Sequence, residues 1–314
     1  MRFRSTFSKH KFVDLQRLVS ALDRVGNNDC VMHLYPEEDN KVSIAVKSDP
    51  ARPGSEVWSH MQADQWFEEY SISSRNGDHI LLDLSLENLS SALRCADKAE
   101  RISMRLAKNP VPCLNLEIKN INTSICHAVP VDVWNSNRAK AVGDFREPDV
   151  DPPSTLIWLP QLSQLCGLVE KMKQIDGTLF ISAKPNSGPG SGSDRLQFRV
   201  ETDQTSFETE FKVRMKSSGA INDAMVSADD EPLEVAVDIK LLAKALHCYN
   251  VGAKHAVMGI LPTVVLMQVT AGQSDELQLV YVRRITSSEF CVRFVACSYL
   301  TNRHAFSVCA NPCG

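Results

Sequence analysis

No apolar run in this chain is long enough to cross a bilayer. The longest, Ala256 to Val269, is interrupted by Pro262 and Thr263, whereas a spanning helix needs about 20 apolar residues; two buried strands joined by a turn fit it better. An excess of either charge is also missing. Lys and Arg number 34 against 38 Asp and Glu in 314 residues, for a formal net charge of −4. A nucleic-acid partner would therefore have to meet a local concentration of positive charge rather than a protein that is basic all over. The opening Met1-Arg2-Phe3-Arg4-Ser5-Thr6 lacks the apolar centre of a secretory signal. The ten cysteines follow no disulfide framework, so reduced thiols in an intracellular protein are expected.

Catalytic signatures are missing too. Gly188, Gly190 and Gly192, within Asn186 to Ser193, lack the following Lys-Ser/Thr of a phosphate loop and precede a strand pattern, so a flexible hairpin loop is expected there. The eight histidines include no pair at ligand spacing on a helix, and no Ser or Cys stands in a nucleophile setting. His247 reads as a solvated surface residue. Cys291, Cys297, Cys309 and Cys313, with His304, match no familiar zinc module. The expectation is no catalytic residue, no metal and no other cofactor.

What the chain does have is a pattern used twice. Ser85-Leu86-Glu87-Asn88-Leu89-Ser90-Ser91-Ala92-Leu93-Arg94-Cys95 aligns with Asp238-Ile239-Lys240-Leu241-Leu242-Ala243-Lys244-Ala245-Leu246-His247-Cys248, 153 residues later. Ser85 and Asp238 are good helix N-caps, and apolar positions 86, 89, 93, 96 and 239, 242, 246, 249 carry helical spacing. Opposite each apolar stripe lies a basic one: Arg94, Lys98, Arg101 in the first copy and Lys240, Lys244, His247 in the second, each at i, i+4, i+7. A second pair of amphipathic stripes, Phe12, Leu15, Leu18, Val19, Leu22, Val25 and Leu162, Leu165, Leu168, Val169, Met172, Ile175, is offset by 150 residues. Two pairs at nearly one offset imply an ancestral unit repeated within the chain. Taken singly, such basic stripes are most often solvated helix faces; their recurrence at equivalent places favours a binding role.

Between these helices, alternating segments read as strands: Cys30 to Tyr35, Lys41 to Val46, Glu56 to Met61, His79 to Leu84, Ile102 to Leu106 and Leu114 to Ile118 in the first copy. The second copy offers Thr155 to Leu159, a helix beginning at Pro160, then Thr178 to Ala183, Leu196 to Glu201, Phe207 to Met215, Val264 to Thr270 and Leu277 to Ile285. Periodicity stops from Asn135 to Pro153, where Glu147-Pro148-Asp149-Val150-Asp151-Pro152-Pro153 reads as an extended connector over the outer surface. The expected architecture is α+β, with two helices backed by largely antiparallel sheets in each half. Residues 1–134 form the first domain, 135–153 the connector, 154–285 the second domain and 286–314 a divergent tail.

Several stretches together resemble the Hus-one family, one of the three subunit types of the nine-one-one checkpoint clamp and a relative of the proliferating-cell sliding clamp. They are Ser85-Leu86-Glu87-Asn88-Leu89-Ser90, Pro112-Cys113-Leu114, Val129-Pro130-Val131, Leu159-Pro160, Val169-Glu170-Lys171-Met172-Lys173 and Val237-Asp238-Ile239-Lys240, within a resemblance covering roughly residues 1 to 285. It implies two tandem sliding-clamp-like domains and a ring closed with Rad-nine and Rad-one type subunits. It further implies a clamp loader, duplex DNA threaded without sequence specificity, a nuclear location, no membrane and no enzymatic activity. The residues it implies to face DNA are Arg17, Arg24, Arg94, Lys98, Arg101, Lys171, Lys173, Lys240 and Lys244. The outward face of the third helix (Ser163, Gly167, Glu170, Gln174) is poor in cations, with Lys171 and Lys173 only at its flanks. Two alternatives stand beside this reading: a homotrimeric replicative clamp, and a soluble α+β enzyme with an unrecognised site.

Overall fold

The computed structural model describes residues 1–7, 9–25, 29–46, 55–75, 77–96, 99–108, 110–134, 147, 152–153, 155–184, 193–217, 233–261, 264–272, 277–286 and 291–294. The first half runs β1 (Arg2–Phe7), α1 (Lys9–Val25), β2 (Asp29–Leu34), β3 (Lys41–Val46), β4 (Glu56–Gln62), the short α2 (Ala63–Trp66), β5 (Phe67–Ser73), β6 (Ile80–Ser85) and α3 (Leu86–Arg94), then β7 (Arg101–Lys108), β8 (Pro112–Lys119) and β9 (Ser124–Val133). The second runs β10 (Thr155–Trp158), α4 (Leu162–Met172), β11 (Thr178–Lys184), β12 (Asp194–Glu201), β13 (Ser206–Ser217), β14 (Leu233–Asp238) and α5 (Ile239–Leu246). A 3-10 turn (His247–Val251), β15 (Ala253–Leu261), β16 (Val264–Ala271), β17 (Leu277–Thr286) and β18 (Cys291–Phe294) complete it.

Among the described residues, strand pairing is antiparallel apart from one parallel bridge between β16 and β18. β1 lies between β5 and β7, and the ladder continues through β8 to β9. At Val131–Val133, β9 turns to pair with β6, which leads through β2 and β3 to β4. β4 then pairs with β17 of the other half, from Glu56↔Val282 to Met61↔Leu277. From β17 the order is β16, β15, β10, β13, β12, β11 and β14. β13 does with one strand what the first half does with two: its start pairs with β12 and its end with β10, whereas α2 separates β4 from β5.

The helices form where the amphipathic stripes lie. Phe12, Leu15, Leu18, Val19, Leu22 and Val25 are all buried against the sheets. Ser85 Oγ accepts from Asn88 N at 3.3 Å, and Asp238 Oδ1 accepts from Lys240 N at 2.8 Å and Leu241 N at 3.3 Å, so both predicted N-caps hold free amide donors of the first turn. Boundaries differ from expectation in four places. α3 ends at Arg94, because Glu100 N is taken by Lys119 O at 2.9 Å and the chain enters the β7–β8 ladder. α4 begins at Leu162 rather than Pro160. Its stripe ends early as well: Ile175 lies beyond the helix and is 39% exposed, while Cys166 is buried instead. After α5, the tighter 3-10 winding turns Cys248 and Val251 inward and leaves Tyr249 36% exposed.

Of the expected connector, only Glu147, Pro152 and Pro153 are described residues. Glu147 Oε2 meets His60 Nε2 on β4 at 3.0 Å, and His60 Nδ1 meets Ser43 Oγ at 2.8 Å. Pro153 is buried, so this end of the segment is packed rather than solvent-run. It lies on Gly259 of β15, where a Cβ would stand 2.6 Å from Pro153 Cγ. On β2, buried His33 stacks on Tyr35 at 3.8 Å and its Nε2 lies 3.1 Å from His79 Nδ1. Burial first, then the charges of His79 and Lys41, push its pKa down to about 3.

Three stability outcomes follow from this packing. Gly259→Ala is expected to cost about 1–3 kcal/mol by overpacking Pro153. Gly167→Ala, in α4 with nothing within 4 Å of the added Cβ, is expected to gain about 0.5–1 kcal/mol from helix propensity; urea titration reads both. Since His33 stays neutral in the fold while an unfolded histidine takes a proton below 6.5, its contribution is complete above that pH and declines as pH falls toward 3. The decline approaches about 1.4 kcal/mol per pH unit. His33→Gln should flatten the fall in unfolding free energy between pH 6.5 and pH 4.

Candidate nucleic-acid interface

Four helices form one layer on the sheets, in the order α3, α1, α5, α4, with the 3-10 turn wedged between α1, α5 and α4. Gln16 Nε2 of α1 donates to Leu93 O of α3 at 2.6 Å. Across the two halves, Arg24 Nη1 of α1 lies 2.9 Å from His247 Nδ1. An arginine can only donate, so Nδ1 accepts, and the proton of the neutral ring sits on Nε2, which faces Glu170 at 3.8 Å. Burial, then the Arg24 charge, lowers the pKa of His247 and keeps that form favoured. His247 is therefore a joint between the halves, not the solvated residue its stripe position implied. The buried Cys166 Sγ lies 3.9 Å away, its pKa raised chiefly by burial, which opposes a nucleophilic thiolate.

The solvent side of this layer collects cations from several helices. On α1, Val13, Arg17, Ser20 and Arg24 are exposed along one stripe. Arg17 lies 3.8 Å from Asp14, and Asp14 is also 3.8 Å from Lys11. Arg94 is exposed in the last turn of α3, Lys171 in the last turn of α4, and Lys240 and Lys244 on α5. Lys173 is half-buried against Glu170, so the third helical face adds little unpaired charge. These side chains are long and exposed, which suits attraction to a phosphate backbone without fixed geometry.

Arg101 does not belong with them. It opens β7, where its neighbour Ile102 is buried and Arg101 is exposed on the opposite sheet face, 3.5 Å from Glu69. The i+7 spacing from Arg94 placed it on a helix that stops before it is reached. Lys98 lies outside the described residues, as do the glycines of 186–192 and the tail cysteines after Cys291; β11 and β12, which flank the glycine stretch, pair antiparallel up to Lys184↔Arg195. The Arg24–His247 joint had no signal in the sequence, since its partners are 223 residues apart and periodicity reports only neighbours on one element.

Comparison with known proteins adds the lineage. The family model described as Hus1-like protein matches residues 1–285. The chain is 31% identical over 221 residues to checkpoint protein hus1 of Schizosaccharomyces pombe, covering 68% of this chain and 70% of that protein. It is 27% identical over 242 residues to checkpoint protein HUS1 of Homo sapiens, covering 74% and 81%. With the checkpoint protein hus1 homolog of Dictyostelium discoideum it shares 27% identity over 274 residues, 86% of this chain and 94% of that one. Among solved structures it is similar to PCNA from Thermococcus kodakaraensis, with a TM-score of 0.62 and 13% identity over 89% of this chain and 98% of that chain. At that identity the likeness speaks to fold alone: an α+β sliding-clamp fold.

Proposed function

The chain belongs to the Hus1-like family, and on that footing we propose that it is a non-enzymatic subunit of a DNA-encircling checkpoint clamp, acting in the nucleus to mark damaged or stalled DNA for checkpoint signalling and repair. The observation that carries the DNA-facing part is the single helix layer, continuous across both halves, with Arg17, Arg24, Arg94, Lys171, Lys240 and Lys244 exposed on its solvent side. A clamp held by topology needs few phosphate contacts, and non-specific ones permit sliding. That reconciles a local positive face with a net charge of −4.

Ring assembly has its own structural support. The joint between β4 and β17 has counterparts in element order: β13 corresponds to β4, and β9 to β17. Along Ser206–Val213, β13 pairs only with β12 among the described residues, and along Ser124–Pro130, β9 pairs only with β8. Each has an edge able to accept another strand, with Phe207 41% and Ile125 38% exposed there. Two different edges favour head-to-tail contacts, which close a ring if the rotation closes. The finer reading is a heterotrimer with Rad-nine and Rad-one type subunits and a clamp loader.

Charge reversal tests the helix layer. Replacing Arg94, Lys240 and Lys244 by Glu is expected to reduce loading on nicked circular DNA and flatten the slope of log affinity against log salt by roughly 0.9 per lost phosphate contact. Thermal stability should shift by under about 0.5 kcal/mol per site. Reversing Arg195 and Arg199, which pair with Glu210, Glu201 and Glu234 on β12 and its neighbours, is the control and should load normally. Equal loading by both variants would overturn the assignment.

Co-expression with the two partner subunits tests assembly. Phe207→Asp should lose one partner and Ile125→Asp the other, while the lone chain elutes as a 34.9 kDa monomer. Elution at three times that mass would favour a homotrimeric clamp.

A further inference from the structure

The opposite side of the first half carries a different concentration of charge. Phe3, Ser5 and Phe7 of β1 point into the core, Phe7 meeting Phe12 of α1 edge to face at 6.5 Å. Arg2 and Arg4 are therefore exposed on the sheet face turned away from the helices. The register sets Arg4 directly opposite Arg105 of β7 on one side and Ser71 of β5 on the other, with Arg2 opposite Ser73. Like charges directly opposed across two strands are unfavourable for the fold.

Nearby cations are neutralised. Arg101 meets Glu69 at 3.5 Å, Glu69 also accepts from Thr6 Oγ1 at 3.1 Å, and Lys119 meets Glu117 at 3.1 Å. Arg2 and Arg4 have no such ion pair with a described carboxylate; Arg105 has none within 4 Å either, but after Lys119 it is among the groups that lower the pKa of Glu117. Arg2 and Arg4 line a shallow cavity of about 1220 Å³ together with Arg75, Ser71, Ser73 and Ser74.

We propose that this face of β1 and β7 docks a phosphorylated segment of a partner protein, its phosphate held between the Arg4 and Arg105 guanidinium groups beside the serine hydroxyls of the β5 edge. Guanidinium forks match phosphate oxygens, and a phosphorylated side chain concentrates about −1.5 to −2 charges in one place. Glu68 and Glu69 also line the cavity, and Glu117 stands opposite Ser103, two residues along β7 from Arg105, so carboxylates bound the positive area closely. A long duplex would set phosphates against these carboxylates, whereas one dianion on a peptide meets only the arginines. Charge complementarity of this compact kind selects the occupant, and the cost of opposing Arg4 to Arg105 is offset when the dianion lies between them.

Fluorescence anisotropy on the full chain tests it, using a labelled acidic peptide with one phosphoserine, its unphosphorylated twin and a short labelled DNA duplex. The phosphopeptide is expected to bind at least about tenfold more tightly than its twin, and the R4E/R105E double variant to lose that preference. The R195E/R199E variant should retain it. Equal binding of the two peptides, or a preference unaffected by R4E/R105E, overturns the proposal. Duplex binding tighter than the phosphopeptide and lost in R4E/R105E would overturn it in favour of a nucleic-acid face. Arg4→Gln, which relieves the repulsion while keeping a polar side chain, should melt no lower than the parent and still weaken the phosphopeptide; a marked drop in melting temperature would assign the arginine a structural role instead.

Discussion

The β4–β17 ladder is the constraint on which the rest of the molecule depends. Its backbone hydrogen bonds join strands more than 200 residues apart in the chain, turning two similar halves into one continuous run of paired strands. With the sheets fused there, α1 comes against α5 and the 3-10 turn, and Arg24 reaches His247. Buried Tyr281 and Trp58 flank the same ladder, so the joint combines main-chain pairing with apolar packing. The same arithmetic of edges leaves β9 and β13 with an open side along Ser124–Pro130 and Ser206–Val213 among the described residues. The intrachain joint thus has the strand pairing that the proposed contacts between chains would repeat.

Two charged faces result, and they differ in kind. The helix side spreads single cations over four helices, with Asp14 and Glu170 tempering Arg17 and Lys173. Such an arrangement attracts a polyanion without holding it in register. The sheet side of β1 and β7 compresses Arg2, Arg4 and Arg105 into adjoining rows framed by glutamates. That arrangement favours a small, concentrated anion. A net-charge figure averages both away, which is why a mildly acidic protein is compatible with either.

Much of the fold was legible because its signals are local. The stripe Phe12 to Val25 gave α1, the caps Ser85 and Asp238 gave the starts of α3 and α5, and strict alternation located β3, β8 and β11 to within a residue or two. β1, β5, β9, β14 and β18 were not picked out as strands; β18 lies in the stretch read as a divergent tail, yet it pairs with β16 and β17. β1 is as long as β3, but it buries polar Ser5 and Thr6 along with Phe3 and Phe7, so its burial does not follow a polar–apolar alternation; β9 carries polar and apolar residues that make sense only from its change of partner, β8 to β6. Arg101 failed for the converse reason: its helical spacing was real, but the amide of Glu100 bonds to Lys119 across the β7–β8 ladder. A period in the sequence cannot register a competing partner elsewhere.

The sequence by itself determined which segments are amphipathic, where two helices are capped, that the pattern occurs twice, and which lineage the motifs resemble. The stripes and caps rest on residues within a turn or two of one another, where spacing and burial are tied by backbone geometry, and the repeat and the resemblance come from comparing such local patterns. Tertiary structure alone decided that His247 is a joint rather than a surface residue, that Pro153 needs the missing Cβ of Gly259, that Arg101 faces away from the helix layer, and that Arg4 stands opposite Arg105. Those outcomes depend on which strands pair and in what register, a choice made by long-range packing that no local period encodes.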